Sequence, residues 1–375
     1  MRYRRFGKTN LPLSVLSLGT MRCLASAEVA QQTIQRAWQA GINHIETASN
    51  YGKSEEYIGN ALQSLNIPRS QIYLTSKHPP TADAQTMQRG IEQSLERLQT
   101  DYLDCFAIHG VNTAEHLAWI RDPQGGMAAV EQAMAAGQIR HLGFSTHAPL
   151  DLILDAIATD RFEFINLHYY YFFQRHAAAI ELAREKDLGI FIISPGDKGG
   201  QLYLPPQRLR DLCQPFTPLE ITYRFLLSQP HITTLSVGAA NPDELAAPLA
   251  IADRDGPLTE AESAVLHKLE TWQTSVLGTE QCRQCYECLP CPEAINIPEV
   301  LRLRNLTLAY DMQKFGEYRY RMFENAGHWF PGARANRCTR CGDCLPRCPE
   351  NLPIPSLLFD THQRLSGPAR RRLWD

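Results

Sequence analysis

From residue 13 to about residue 276 the chain alternates short apolar runs with longer amphipathic ones. The short runs are Val15–Leu18, His44–Glu46, Ile72–Ser76, Leu103–Ile108, His141–Phe144, Phe164–Leu167, Gly189–Ile193 and Thr234–Val237. Each is too brief for a buried helix and is read as a strand. Between them, apolar residues recur at helical spacing over Ala27–Ala40, Ser54–Leu65, Asp83–Leu98, Gly126–Ala136, Leu150–Ala158, Ala177–Lys186 and Leu219–Leu227. Gly41 and Gly137 stand where helix ends favour glycine. Eight strand–helix repeats over ~250 residues predict a (β/α)₈ barrel. A doubly wound open sheet is the competing arrangement, but no G-x-G-x-x-G follows a strand and no P-loop occurs.

Past Glu280 the alternation stops, and cysteine, proline and arginine take over. The pattern therefore divides the chain into residues 1–276, the barrel, and 277–375, a small α-helical domain. Residues 299–326 predict one helix, and Gly367–Asp375, with Arg370, Arg371 and Arg372, predicts a solvated end. Residues 338–349 read C-T-R-C-G-D-C-L-P-R-C-P. Three cysteines at a spacing of three, a fourth slightly further on and a closing proline form the bacterial ferredoxin spacing for a [4Fe–4S] cluster. A second run, Cys282, Cys285, Cys288 and Cys291, also ends on proline, Pro292, with a last gap of two residues instead of three. Structural zinc is the alternative; it pairs short knuckles across a longer gap, whereas each run here carries four cysteines. Two iron–sulfur clusters are expected, on Cys282, Cys285, Cys288, Cys291, Cys338, Cys341, Cys344 and Cys348.

Composition narrows the function classes. With 375 residues, 44% hydrophobic content and a formal net charge of −3, nothing suggests nucleic acid. Residues 282–375 hold 14 Lys and Arg against 10 Asp and Glu, a net of +4, so residues 1–281 carry −7. The N-terminal basic residues lack the apolar core of a signal peptide. No apolar stretch approaches the ~18 residues of a membrane span. Of 11 cysteines, Cys23, Cys105 and Cys213 are scattered, which speaks against a disulfide framework and for a reducing, cytoplasmic compartment.

Four stretches carry candidate barrel chemistry: residues 41–62 with Glu46 and Tyr51, Leu74–Lys77, Asp101–His109 and Gly137–Thr146. In that order, at strand ends, they resemble the aldo–keto reductase family over roughly residues 1–250. The resemblance implies an NAD(P)H-dependent carbonyl reductase, with Tyr51 as general acid, Lys77 lowering its pKa and His109 orienting the carbonyl. Glu46 stands where the family has aspartate, with about 1.5 Å more reach toward Lys77. It also implies cofactor contacts from Gly19, Thr20, Met21, Ser145, Thr146, Asn166, Ser194, Gly238 and Asn241. The Ser236–Glu244 stretch lacks the Lys/Arg pair that would grip a 2′-phosphate. His44, His147 and His168 sit in no such motif and are expected to be packing residues.

A barrel of this kind with a double-cluster tail is similar to a ferredoxin-linked branch of that family, in which the first run also has the short gap. The two-cluster rule then pairs Cys282, Cys285 and Cys288 with Cys348, and Cys338, Cys341 and Cys344 with Cys291. The expected function is an iron–sulfur oxidoreductase moving electrons between NAD(P)H and a small-molecule carbonyl or other redox substrate. A ferredoxin or flavodoxin-like electron carrier is a candidate partner. Hydride moves two electrons and a cluster one, so a flavin stays open as a further cofactor, although no flavin signature is found. The other reading is a redox-sensing or electron-transfer protein whose barrel is a binding module.

Overall fold

The computed structural model describes residues 1–367; the basic tail carrying Arg370, Arg371 and Arg372 lies outside the described residues. Eight parallel strands close into a barrel: β1 (Leu16–Gly19), β2 (His44–Glu46), β3 (Tyr73–His78), β4 (Leu103–His109), β5 (Ile139–Ser145), β6 (Phe164–Leu167), β7 (Gly189–Ile192) and β8 (Thr234–Val237). They follow one another in chain order, and β8 pairs with β1 through Leu235 and Leu16. The doubly wound sheet is thereby excluded. Each expected run appears as a strand, because residues buried on both faces give the continuous Val/Ile/Leu/Phe pattern of parallel sheets.

One hairpin was not foreseen. Tyr3–Arg5 pairs antiparallel with Pro12–Ser14, and the link between them carries Phe6 into a buried cluster with Leu13, Cys105, Ala107, Phe164 and Phe191. Phe6 lies so close to β7 that a Cβ on Gly189 would meet its ring at 2.3 Å. Gly143 is likewise required, since its Cβ would stand 2.5 Å from the Phe164 ring.

The chain forms two compact units. One comprises Met1–Tyr203 with Leu219–Thr259; the other comprises Leu204–Pro218 with the residues from Glu260 onward. The second unit is helical. Glu260–Leu277 packs on Ile297–Tyr310, where the Trp272 indole donates to the Ala309 carbonyl at 2.7 Å and the Tyr310 hydroxyl to the Leu269 carbonyl at 2.9 Å. Ile297–Tyr310 is buried almost all round, which is how a helix behaves when its neighbours surround it. Its Arg304 bridges Glu280 and Asp360, tying the start of the cysteine segment to the last helix, Ile354–Leu365. The single helix expected over 299–326 is in fact two, Ile297–Tyr310 and Gln313–Tyr320. Asp311 ends the first in a left-handed conformation (φ 61°), which its short polar side chain tolerates.

Candidate active site and cysteine cradles

Register brings the candidate residues to one end of the barrel. Gly19 pairs with Glu46, and His109 pairs with Ser145, which in turn pairs with Asn166. All lie at carboxyl ends of strands, where barrel enzymes place their chemistry. Glu46, Lys77 and His109 are buried, and Tyr51 is half-buried. The Lys77 ammonium donates to the Glu46 carboxylate and to the Thr47 carbonyl, so the longer glutamate does reach it. Lys77 Nζ stands 4.8 Å from the centroid of the Tyr51 ring. His109 meets the same ring edge-on, with centroids 5.6 Å apart and planes at 81°. The four side chains form one constellation.

Tyr51 sits in the turn between β2 and the helix Ser54–Ser64, and a run of buried hydroxyls holds that turn in place. Thr47 Oγ1 donates to Ser54 Oγ at 2.8 Å, Ser54 Oγ to Thr20 Oγ1 at 2.6 Å, and Thr20 Oγ1 to the Glu46 carbonyl at 3.0 Å. Thr20 thus works on the protein itself. Burial pushes the Tyr51 phenol well above the usual tyrosine value, and the Glu46 carboxylate adds to the rise. Burial pulls the Lys77 ammonium down, against the pull of Glu46 and of the buried Glu55. The expected lowering of the Tyr51 pKa by Lys77 is therefore outweighed here: the lysine charge is spent on Glu46, and desolvation dominates. Glu55 was not foreseen; it takes Ser76 Oγ at 2.5 Å and Arg97 Nε at 2.7 Å.

The expected cofactor residues divide by what their polar atoms already do. Asn166 is fully buried, and neither atom of its amide has a hydrogen-bond partner among the described residues. An orphaned carboxamide of this kind fits a ligand that presents an amide in return. Ser145 Oγ accepts from the Gly110 N–H at 3.0 Å and keeps its own proton. Thr146 Oγ1 donates to the Val111 carbonyl and accepts from the Ala148 N–H, so its hydroxyl is committed. Gly19 admits the Ser236 hydroxyl, which a Cβ would meet at 2.2 Å. Ser194 holds a left-handed backbone (φ 52°), Asn241 caps the turn Pro242–Leu245, and Met21 is exposed.

Two features escaped the sequence. Arg22, just past β1, donates to the Gly238 carbonyl at 2.7 Å and pairs with Glu244 at 2.7 Å, supplying a cation to the segment that has none of its own. His147 and His168, expected only to pack, meet at the rim of β5 and β6 with ring nitrogens 3.1 Å apart. His168 also contacts Tyr170, whose hydroxyl donates to the Ile193 carbonyl at 2.5 Å.

The eight cysteines of the second unit gather as two quartets. Cys282, Cys285, Cys288 and Cys348 line one hollow with Pro298, Leu301, Leu352 and Ile354. Cys291, Cys338, Cys341 and Cys344 line another with Ile297, Pro355 and Leu358. These are the two sets expected from the spacing. In each run the residues two and four places after the first cysteine are left-handed: Gln284 and Tyr286 (φ 58° and 67°), Arg340 and Gly342 (φ 59° and 88°). Alternation of this kind turns successive N–H groups toward one point and suits an anionic guest. Burial, with neighbouring thiols, pushes Cys282 up to about 11 and Cys288 up to about 12. Thiolate there calls for a bound metal centre. The donor set, the apolar lining and the inward amides fit an iron–sulfur cluster in each hollow. All eleven cysteines are free of disulfides.

A family model for the aldo/keto reductases matches residues 15–202. The chain belongs to the aldo/keto reductase family. A 4Fe-4S dicluster domain model matches residues 281–353 of the same chain, so this aldo/keto reductase is an oxidoreductase with an iron–sulfur domain at its C-terminal end. Among similar proteins, an aldo-keto reductase of Mycobacterium sp. strain MCS is 30% identical over 264 residues, covering 69% of this chain and 87% of that one. The uncharacterized oxidoreductase YqkF of Bacillus subtilis strain 168 is 23% identical over 282 residues, covering 65% and 89%. The holo form of the aldo-keto reductase AKR11C1 from Bacillus halodurans superposes with a TM-score of 0.62 at 24% identity, over 72% of this chain and 96% of that one, a likeness of fold. Among the described residues, no helix is long and apolar enough to cross a membrane.

Proposed function

We propose that the protein is an NAD(P)H-linked reductase of small carbonyl compounds or related redox substrates, acting in a reducing, cytoplasmic compartment, with two [4Fe–4S] clusters in a functional domain that begins near residue 277. The carrying observation is the convergence of Tyr51, Lys77, His109 and Glu46 at the barrel end that also holds the orphaned Asn166 amide. Bound NAD(P)H supplies hydride, and clusters on the eight cysteines supply one-electron exchange.

The chain's own residues supply the rest. Tyr51 carries the proton for the substrate oxygen, and its raised pKa keeps that proton in place throughout neutral pH. The alkoxide that hydride addition creates is a far stronger base than a phenolate, so a reluctant acid suffices. Lys77, tethered by Glu46 and the Thr47 carbonyl, stands over the ring where phenolate charge develops. His109, edge-on to the same ring, orients the substrate oxygen. Asn166 and the Ser145 hydroxyl would hold the nicotinamide amide, a role that the unpartnered Asn166 side chain supports. Arg22 and Glu244 border the Gly238 segment proposed for the adenosine half.

Tyr51→Phe tests this reading. Carbonyl reduction is expected to fall by about 10²- to 10⁴-fold, with nucleotide binding by fluorescence quenching unchanged. A variant that keeps its turnover would overturn the reading.

A further inference from the structure

The rims of the two cysteine hollows differ in how their arginines are paired. Each exposes one cysteine, Cys285 in the first and Cys341 in the second. Beside the first, Arg283 pairs with Glu350 at 3.3 Å. Beside the second, Arg337 is taken by Glu324 at 2.8 Å, yet Arg340 and Arg347 have no carboxylate within ion-pair distance among the described residues. Arg347 lines the hollow and is held by the backbone carbonyls of Asp343 and Pro290, at 2.8 and 3.0 Å. Arg340 is exposed, with its guanidinium 6.0 Å from the Phe359 ring.

Apolar surface adjoins the same hollow. Phe359 is 53% exposed and follows Leu358, which lines the hollow; Leu345 is 42% exposed and lies against Gly342, which lines it too. Two large side chains held in water beside two guanidinium groups have the composition of an interface core and not of an ordinary surface. Asp343, Glu293 and Asp360 are nearby carboxylates; Asp360 is held by Arg304 and Arg364, and none of the three pairs with Arg340 or Arg347.

We propose that the face formed by Arg340, Leu345, Arg347 and Phe359 is the docking surface for a small acidic electron-carrier protein. The assignment rests on the iron–sulfur reading above. Charge complementarity selects the partner: unneutralised guanidinium groups favour an anionic protein and guide its approach. The apolar pair supplies a contact that binding would desolvate, beside the lining residues Gly342 and Leu358. The first hollow, with its compensated arginine and no comparable apolar pair, is assigned no such role.

The test uses the anaerobically prepared holoprotein and an acidic [2Fe–2S] ferredoxin as probe, with binding followed by calorimetry at low and high salt. Iron and sulfide contents and the cluster absorption are measured on the same samples. Arg340→Glu is expected to weaken binding about tenfold and to flatten its salt dependence. Phe359→Ser is expected to weaken binding while leaving the salt dependence intact. Arg283→Glu, at the other rim, is expected to stay within about twofold of the parent. Binding is compared only between samples whose iron and sulfide contents match. Full clusters with no ferredoxin binding, or equal losses from Arg283→Glu and Arg340→Glu, would overturn the surface and leave the reductase reading standing. Material with no acid-labile sulfide would overturn the surface together with the iron–sulfur reading on which it rests.

Discussion

In the barrel, Glu46, Lys77, His109 and Ser145 stand on strands whose hydrogen-bonded ladder closes on itself. In the C-terminal unit all eight cluster cysteines lie outside helices and strands. The barrel's polar constellation is positioned by backbone pairing and by interior ion pairs, before any ligand arrives. The cysteine loops have left-handed residues, each costing roughly 1–2 kcal/mol where the side chain is not glycine, and few ladder bonds to offset them. One site is built by the fold, whereas the other would be completed by the clusters proposed for it.

The largest expected effect separates the two directly. Cys288→Ser combined with Cys344→Ser, one ligand from each quartet, should abolish iron and sulfide binding and expose the segment after Glu280 to limited proteolysis. The barrel's own thermal transition should shift by only a few degrees. A single collapse of both units would break the contrast. Next in size, Lys77→Met leaves Glu46 buried without its cation and should cost the barrel about 3–5 kcal/mol in chemical denaturation. Adding Glu46→Gln should recover most of that loss; no recovery would show that the pair is not what holds the strand ends.

The effect that is smallest per step depends on pH. His44 is buried between Ser17 and Thr75, each 2.7 Å from a ring nitrogen. Burial, helped by the Lys77 charge, brings its pKa down to about 3. The unfolded chain takes up a proton near 6.5 and the folded one does not, so the stability His44 confers is complete above pH 6.5 and is lost as pH falls toward 3. The slope should approach about 1.4 kcal/mol per pH unit. His44→Gln should flatten that limb in urea titrations of the barrel, with no change in the C-terminal unit.

Much of this was legible in the sequence, for identifiable reasons. Strands buried on both faces announce themselves as unbroken apolar runs, and cluster cysteines as a fixed spacing. Lys77 and His109 came with motif context on their own strands, and Tyr51 in the turn that follows one. The hairpin at Tyr3–Arg5 was hidden because both its strands are three residues long and one of them is mostly arginine. The break at Asp311 was hidden because a left-handed residue leaves apolar periodicity on both sides intact. Arg22 reaches Gly238 and Glu244 across more than two hundred residues of chain, a distance no local pattern spans. His147 and His168 looked inert for the same reason, since the pairing of β5 with β6, not their neighbours in sequence, makes them adjacent. Thr146 shows the reverse case: it matched a cofactor position, yet the backbone claims its hydroxyl.

The three hydroxyls of Thr47, Ser54 and Thr20 pass their protons in one direction and finish on a strand carbonyl. That polarity bolts the phenol-bearing turn to two neighbouring staves of the cylinder at once. Retuning the acid by engineering would then mean editing the carboxylate and ammonium around it. Cutting the tether would loosen the whole rim, so divergence in substrate choice has to come from the opposite side of the mouth.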